Sequence, residues 1–308
     1  MRKWIKFIVL MLLLAGGAIL CTIRWQAWFS MPPEPQWTGD TIDYVFPYPS
    51  EGTTILMLGD IHNRLTQTDY DTLAARVPEA DAVAQIGDWM ERGQEYYRQK
   101  LLREWSLSAL MGLPVIACPG NHEYSKGVNK TISPAWEHTF SHPHNGPIDV
   151  PGASYYVDLP QIRFIVIDTN PLVRLVDLTR TLTWLRVAMH DAGDRFIVVM
   201  MHHPVLSAGK GRHNPLIHAA FRHALGEADL VIAGHDHSYM RHTPFVILNT
   251  AGKPKQQQPL IAPEVTDTVP VYGVLKITDA ETPNPNLQFK VYRLDDAALI
   301  DSLYVKHN

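Results

Sequence analysis

Five apolar runs in this chain stop abruptly at aspartate, asparagine or histidine, and that shared ending limits the folds open to it. They are "TTILMLGDIH", "DAVAQIGD", "PVIACPGNHE", "RFIVVMMHHP" and "ADLVIAGHDH". Each is apolar throughout and does not alternate, the pattern of a strand covered on both faces. Helix-like stretches lie between them, around residues 69–77, 91–110, 178–192 and 215–225, and "SYYVDL" and "RFIVIDTN" add two further strands. Strands alternating with helices indicate an α/β domain. The end of the chain, "VPVYGVLKITD", "NLQFKVYRL" and "ALIDSLYVKH", reads as all-β. Between the two parts, Lys253–Pro270 is a long polar loop, either a lid or plain disordered surface.

In open α/β sheets, sites assemble at the carboxyl ends of the strands. The five endings deliver Asp60 and His62; Asp88; Asn121 and His122; His202 and His203; and His235, Asp236 and His237. Histidine is abundant, with 15 copies in 308 residues, which directs attention to metal or acid–base chemistry. Carboxylate, imidazole and amide without thiolate is a donor set suited to Mn, Fe or Zn. One Asp-x-His occurs by chance in many chains; five such endings in succession do not. Cys118, at a strand end, reads as a small core residue, and a disulfide to Cys21 is implausible.

The N-terminus is of another kind. Trp4 to Ile23 is almost unbroken apolar sequence, with Arg2 and Lys3 before it and Lys6 near its start. About 20 residues suffice for a helix to cross a bilayer. After Arg24 no Lys or Arg occurs until Arg64, so the positive-inside rule places the remainder of the chain outside the cytoplasm. Trp25, Trp28 and Trp37 would form an interfacial belt. Two readings stand: an uncleaved transmembrane anchor, or a cleaved signal peptide, against which the length of the run and the lack of an A-x-A site both count. Residues 1–30 are thus expected to be an anchor or signal segment, 31–50 a Pro-rich linker, and 51–308 the folded domain. A net charge near −4 gives no basic field for nucleic acid, and no such binding is expected.

From about residue 50 onward the chain resembles the calcineurin-like metallophosphoesterase superfamily. Its signature, D-x-H, G-D, G-N-H-D/E, H and G-H-x-H, is present here in order. The resemblance implies two mixed β-sheets packed as a sandwich, flanked by helices. It implies two divalent metals: one held by Asp60, His62 and His237, the other by Asn121, His202 and His235, with Asp88 bridging. His202 is preferred to His203 because the pattern is H-x-P and the chain reads His202-His203-Pro204. His122 is the unligated histidine beside the substrate phosphate. "GHDHSYMR", "SAGKGRHNP" and "VILNTAG" are most similar to the purple acid phosphatase branch. That branch carries G-D-x-x-Y, whose tyrosine binds ferric iron. Here Glu91 stands in its place and Tyr96 and Tyr97 are out of register, so a colourless site with divalent metals is expected.

The resemblance implies hydrolysis of phosphate esters, with monoesters the expected substrates and a metal-bridging hydroxide attacking phosphorus. His122 would assist the leaving group, and Glu123 would orient an imidazole or cap the following turn. His203, Lys210 and Arg212 are candidates to contact the substrate, with His213 also near the pocket; solvated loop cations are the plain alternative for Lys210 and Arg212. Rival readings are a phosphodiesterase or pyrophosphatase acting on a lipid head group or nucleotide, and a catalytically silent metal-binding protein, which would require lost ligands.

Overall fold

Period-two alternation along each strand explains why the runs are apolar throughout. In "TILML", Ile55 and Met57 point to one side and Leu56 and Leu58 to the other, and all four are fully buried. The computed structural model describes residues 42–43, 53–125, 131–147, 153–170, 175–259, 261–278 and 285–306. The apolar run Trp4–Ile23 and the linker Met31–Asp40 lie outside the described residues, and among those described no helix is long and apolar enough to cross a membrane.

In chain order the elements are β1 (Ile42–Asp43), β2 (Thr54–Leu58), α1 (Gln67–Arg76), β3 (Ala82–Ile86), α2 (Glu95–Ser106), β4 (Val115–Cys118), α3 (Pro134–Glu137), β5 (Phe140–Ser141), β6 (Tyr155–Asp158), β7 (Ile162–Ile167), α4 (Leu175–His190), β8 (Phe196–Met201), α5 (Pro215–Ala224), β9 (Leu230–Ala233), β10 (Tyr239–His242), β11 (Phe245–Ile247), β12 (Val265–Asp267), β13 (Val271–Thr278), β14 (Asn286–Arg293) and β15 (Leu299–Lys306). A six-stranded sheet has the order β15-β14-β13-β2-β3-β4, and a seven-stranded sheet the order β12-β10-β11-β9-β8-β7-β6. Both are mixed: β2, β3 and β4 run parallel, as do β7, β8, β9 and β11, while the outer strands are antiparallel. β1 and β5 form a separate parallel pair.

The inner faces of the two sheets meet in one core, with Ile55, Met57, Ile86 and Ile116 on one side and Phe164, Val198, Met200 and Ile232 on the other. α1 and α2 cover the outer face of the six-stranded sheet through Tyr70, Leu73, Leu101 and Trp105. α4 and α5 cover the seven-stranded sheet through Leu185, Met189, Ile217 and Phe221. This is the expected sandwich of two mixed sheets with flanking helices, and the tail is all-β as read.

Two boundaries differ from the sequence reading. The second helix begins at Glu95, not Glu91, because the Glu91 carbonyl, which a helix would give to the Glu95 N–H, is taken by the His122 ring. The polar stretch after Lys253 is not featureless. It contains β12, which pairs with β10, and Gln257 bridges to Gly209.

In β13, Gly273 leaves room for the ring of Phe289 on β14; a Cβ there would lie 2.7 Å from the Phe289 ring. Phe289 is 1% exposed. Phe289→Ala should therefore cost about 3–5 kcal/mol. Urea unfolding should show a lower midpoint at unchanged m-value. A loss below ~1 kcal/mol would mean the inner face is not packed as described.

Candidate metal centre

Each of the five strands ends in a turn that throws its polar residue toward one point. The turns are tight enough to need a left-handed backbone at Asp60 (φ 50°), His62 (53°), Asp88 (53°), His235 (73°) and His237 (53°). Such conformations are uncommon for residues with a Cβ and cluster at functional sites. The glycines of the motifs serve close packing. A Cβ on Gly87 would lie 2.3 Å from His202 Nδ1, and one on Gly120 would lie 2.2 Å from Asp88 Oδ1.

Asp60, His62, Asp88 and His237 each present one donor atom, all within 4.8 Å of one another; Asp88, His202 and His235 do the same. Asp88 belongs to both groups. Its Oδ1 accepts the His122 backbone N–H at 2.8 Å, and its Oδ2 lies 3.7 Å from His62 Nε2 and 3.3 Å from His202 Nε2. Asn121 Oδ1 lies 3.3 Å from His202 Nε2, which is also 3.3 Å from His235 Nδ1. Asp60, Asp88 and Asn121 come from the six-stranded sheet; His202, His235 and His237 come from the seven-stranded one. The structure thus brings together all seven residues expected to hold metals.

The imidazole tautomers follow from their other contacts. His202 Nδ1 faces the Ile86 carbonyl at 3.1 Å, and His237 Nδ1 faces the Lys253 carbonyl at 2.8 Å. A carbonyl only accepts, so Nδ1 carries a hydrogen on each ring and Nε2 is the atom turned inward. On His62, Nδ1 lies 3.6 Å from Glu91 Oε2, and Nε2 lies 3.2 Å from His237 Nε2. Lone pairs and carboxylates therefore converge once Asp60 and His202 have given up their protons. A cation satisfies such a set, and backbone carbonyls behind the rings are the usual outer support of metal-bound histidines. The donors present fit divalent metals.

The charge states say which of these donors must first give up a proton. Burial pushes His62 down to about 3 and His237 down to about 4, and lowers His235 strongly. Burial alone would lower His202 as well, but the adjacent Asp88 carboxylate outweighs it and raises the ring's pKa. Burial raises Asp60. Burial would also raise Asp88, yet His202 pulls it below the usual carboxylate range.

His122 stands at the edge, 31% exposed in its side chain, with Nδ1 on the Glu91 carbonyl and Nε2 4.0 Å from Asp88 Oδ2. Its ring packs edge-on against His62 at 4.6 Å. His203 lies beside the second group, 4.5 Å from the His235 ring, with Nδ1 2.7 Å from Thr169 Oγ1. Arg212 bonds the His235 carbonyl and lies 4.0 Å from Asp236 Oδ1. Lys210 is exposed on the same loop. His213 is turned to His218 on α5, 5.2 Å away. Cys118 is a buried core thiol pushed up by burial.

Two acidic residues of the motifs prove to be scaffolding. Glu123 is fully buried and accepts from the backbone N–H of Asp88, Met90 and Gly120 at 2.7–2.9 Å. It neither bonds an imidazole nor caps the turn that follows it, the two roles expected of it; it holds the turn after β3 and its own preceding loop. Asp236 Oδ2 accepts from Ser207 Oγ and from the N–H groups of Ala208 and Gly209. Lys255 went unnoticed in the sequence: its Nζ lies 3.5 Å from His237 Nε2. No local motif marks it.

Residues 53–239 match the calcineurin-like phosphoesterase family, and the chain belongs to it. A glycerophosphodiester phosphodiesterase, GpdQ, of Enterobacter lignolyticus is 30% identical over 142 residues, 44% of this chain and 46% of that protein. The match thus spans about half the length of that relative. The purple acid phosphatase PPD1 of yellow lupin superposes with a TM-score of 0.68 at 14% identity, over 86% of this chain and 56% of that one. GAP50, the anchor in the inner membrane complex of Plasmodium, gives 0.56 at 14% identity, over 84% and 90%.

Groups with raised pKa hold protons in the metal-free protein, so metal must displace them and affinity should rise with pH. Asp60 and His202 are such groups; His62, His235 and His237 are already neutral near pH 7. Loading at pH 7 should release ~1–2 protons. Calorimetry in buffers of different ionisation heat would read this, and zero release would refute the charge assignment. Glu123→Ala strands three buried N–H groups and should cost about 3 kcal/mol or more in denaturant unfolding.

Proposed function

We propose that this calcineurin-like phosphoesterase hydrolyses phosphate esters, phosphomonoesters foremost, at a site holding two divalent cations. The observation that carries this reading is the double donor set sharing one carboxylate, Asp88. Asp60, His62 and His237 would hold one cation, Asn121, His202 and His235 the other, with Asp88 common to both. Two cations so placed would polarise the phosphoryl oxygens and make water acidic enough to attack near neutral pH.

The chain's own residues supply the rest. The Glu91 carbonyl fixes the His122 ring through Nδ1–H, which turns Nε2 toward the site. A proton held at Nε2 can pass to the departing alkoxide oxygen, or can hold a phosphoryl oxygen by hydrogen bond. The Glu91 carboxylate also faces His62, 3.6 Å from its Nδ1. Arg64 lies 3.6 Å from the same carboxylate oxygen.

A second reading, hydrolysis of phosphodiesters, is favoured by the likeness to the glycerophosphodiester phosphodiesterase. The N-terminal apolar run, with Arg2, Lys3 and Lys6 at its start, supports a location outside the cytoplasm, held at a membrane.

His122→Ala should keep its metals and lose ~10²–10⁴ in kcat toward p-nitrophenyl phosphate. Asp88→Asn should lose metal content as well as turnover. Metal analysis beside steady-state kinetics separates the two. Full turnover by His122→Ala would remove the proton role from that ring.

A further inference from the structure

The two polar loops beside the site are stitched into one wall. Lys210 N–H donates to the Gln256 carbonyl at 2.9 Å, Gln258 N–H donates to the Ala208 carbonyl at 2.8 Å, and Gly209 pairs with Gln257. Asp236 holds the first loop from below through Ser207, Ala208 and Gly209. Asn249 holds the second, accepting from Gly252 N–H at 2.9 Å and donating to its carbonyl at 3.0 Å. A Cβ on Gly252 would lie 2.5 Å from Asn249 Oδ1 and 2.8 Å from the His237 ring, so the chain passes directly over that ring. The next carbonyl, of Lys253, then takes the His237 Nδ1 hydrogen.

This turn places Lys255. Its half-buried side chain brings Nζ to 3.5 Å from His237 Nε2, on the inward edge of the ring. Arg212 stands on the same wall, bonded to the His235 carbonyl. A lysine beside two divalent cations is repelled unless an anion lies between them. The substrate phosphoryl group is such an anion.

We propose that Lys255 binds the substrate phosphate directly and makes the site select phosphate carrying two negative charges over phosphate carrying one. A monoester with its second pKa near 6 carries close to two charges at pH 7. A diester carries one and offers one fewer free oxygen to the ammonium. The inference rests on the phosphoesterase reading and adds to it the residue that sets its substrate class.

The test compares the full-length chain with Lys255→Met and Lys255→Arg. Substrates are p-nitrophenyl phosphate and bis(p-nitrophenyl) phosphate; metal content and binding of inorganic phosphate by calorimetry are measured alongside. Lys255→Met should lower kcat/KM for the monoester about 10- to 100-fold, the worth of one charge-assisted hydrogen bond. It should leave the diester within about threefold. Phosphate binding should weaken in parallel, metal content should be unchanged, and Lys255→Arg should recover part of the loss. Equal losses on both substrates, no loss on either, or loss of metal would each overturn the proposal. If the wild-type chain hydrolyses neither ester, the phosphoesterase reading fails by itself. Phosphate binding then decides: weakening in Lys255→Met upholds Lys255 as an anion contact, and unchanged binding removes it.

Discussion

Electron pairs that face one another repel, and this fold is built to hold seven residues' worth of them together. The imidazoles cannot rotate away, because His202 and His237 are tied by Nδ1 to the Ile86 and Lys253 carbonyls. Asp88 cannot swing out, because one oxygen is held by the His122 amide. The turns carrying these groups are themselves held by buried carboxylates, Glu123 under one side and Asp236 under the other. Preorganisation of this kind leaves a bound cation little to rearrange.

Glu91 concentrates what is particular to this chain. The purple acid phosphatase pattern sets a tyrosine there; here a carboxylate faces the rear of His62 while the same residue's carbonyl holds His122. The same residue thus holds the proton-handling ring and sets a negative charge behind a metal-binding one. The late start of α2 has the same origin, since the Glu91 carbonyl cannot serve His122 and a helix together.

Much of this was legible in the sequence, and the division has a physical basis. Strand ends and their ligands are written locally: an apolar run, a glycine, then Asp88 or Asn121. The α/β alternation and the β-rich tail are local as well. The parts that were not legible depend on contacts between distant segments. Glu123 acts 35 residues from Asp88, and nothing beside it in the sequence signals three backbone partners. Lys255 reaches His237 only because two loops pair, and "KPKQQQP" by itself reads as solvated surface. His213 shows the converse: a histidine near the right motif that turns toward α5 instead.

The donors come from both sheets, Asp60, His62, Asp88 and Asn121 from the six-stranded one and His202, His235 and His237 from the seven-stranded one. A cation bound there acts as a rivet across the sandwich, and whatever binds the native state alone adds to its stability by mass action. The folded lifetime of the protein is then tied to metal supply. A cell starved of the metal would lose the enzyme twice, first as activity and then as protein.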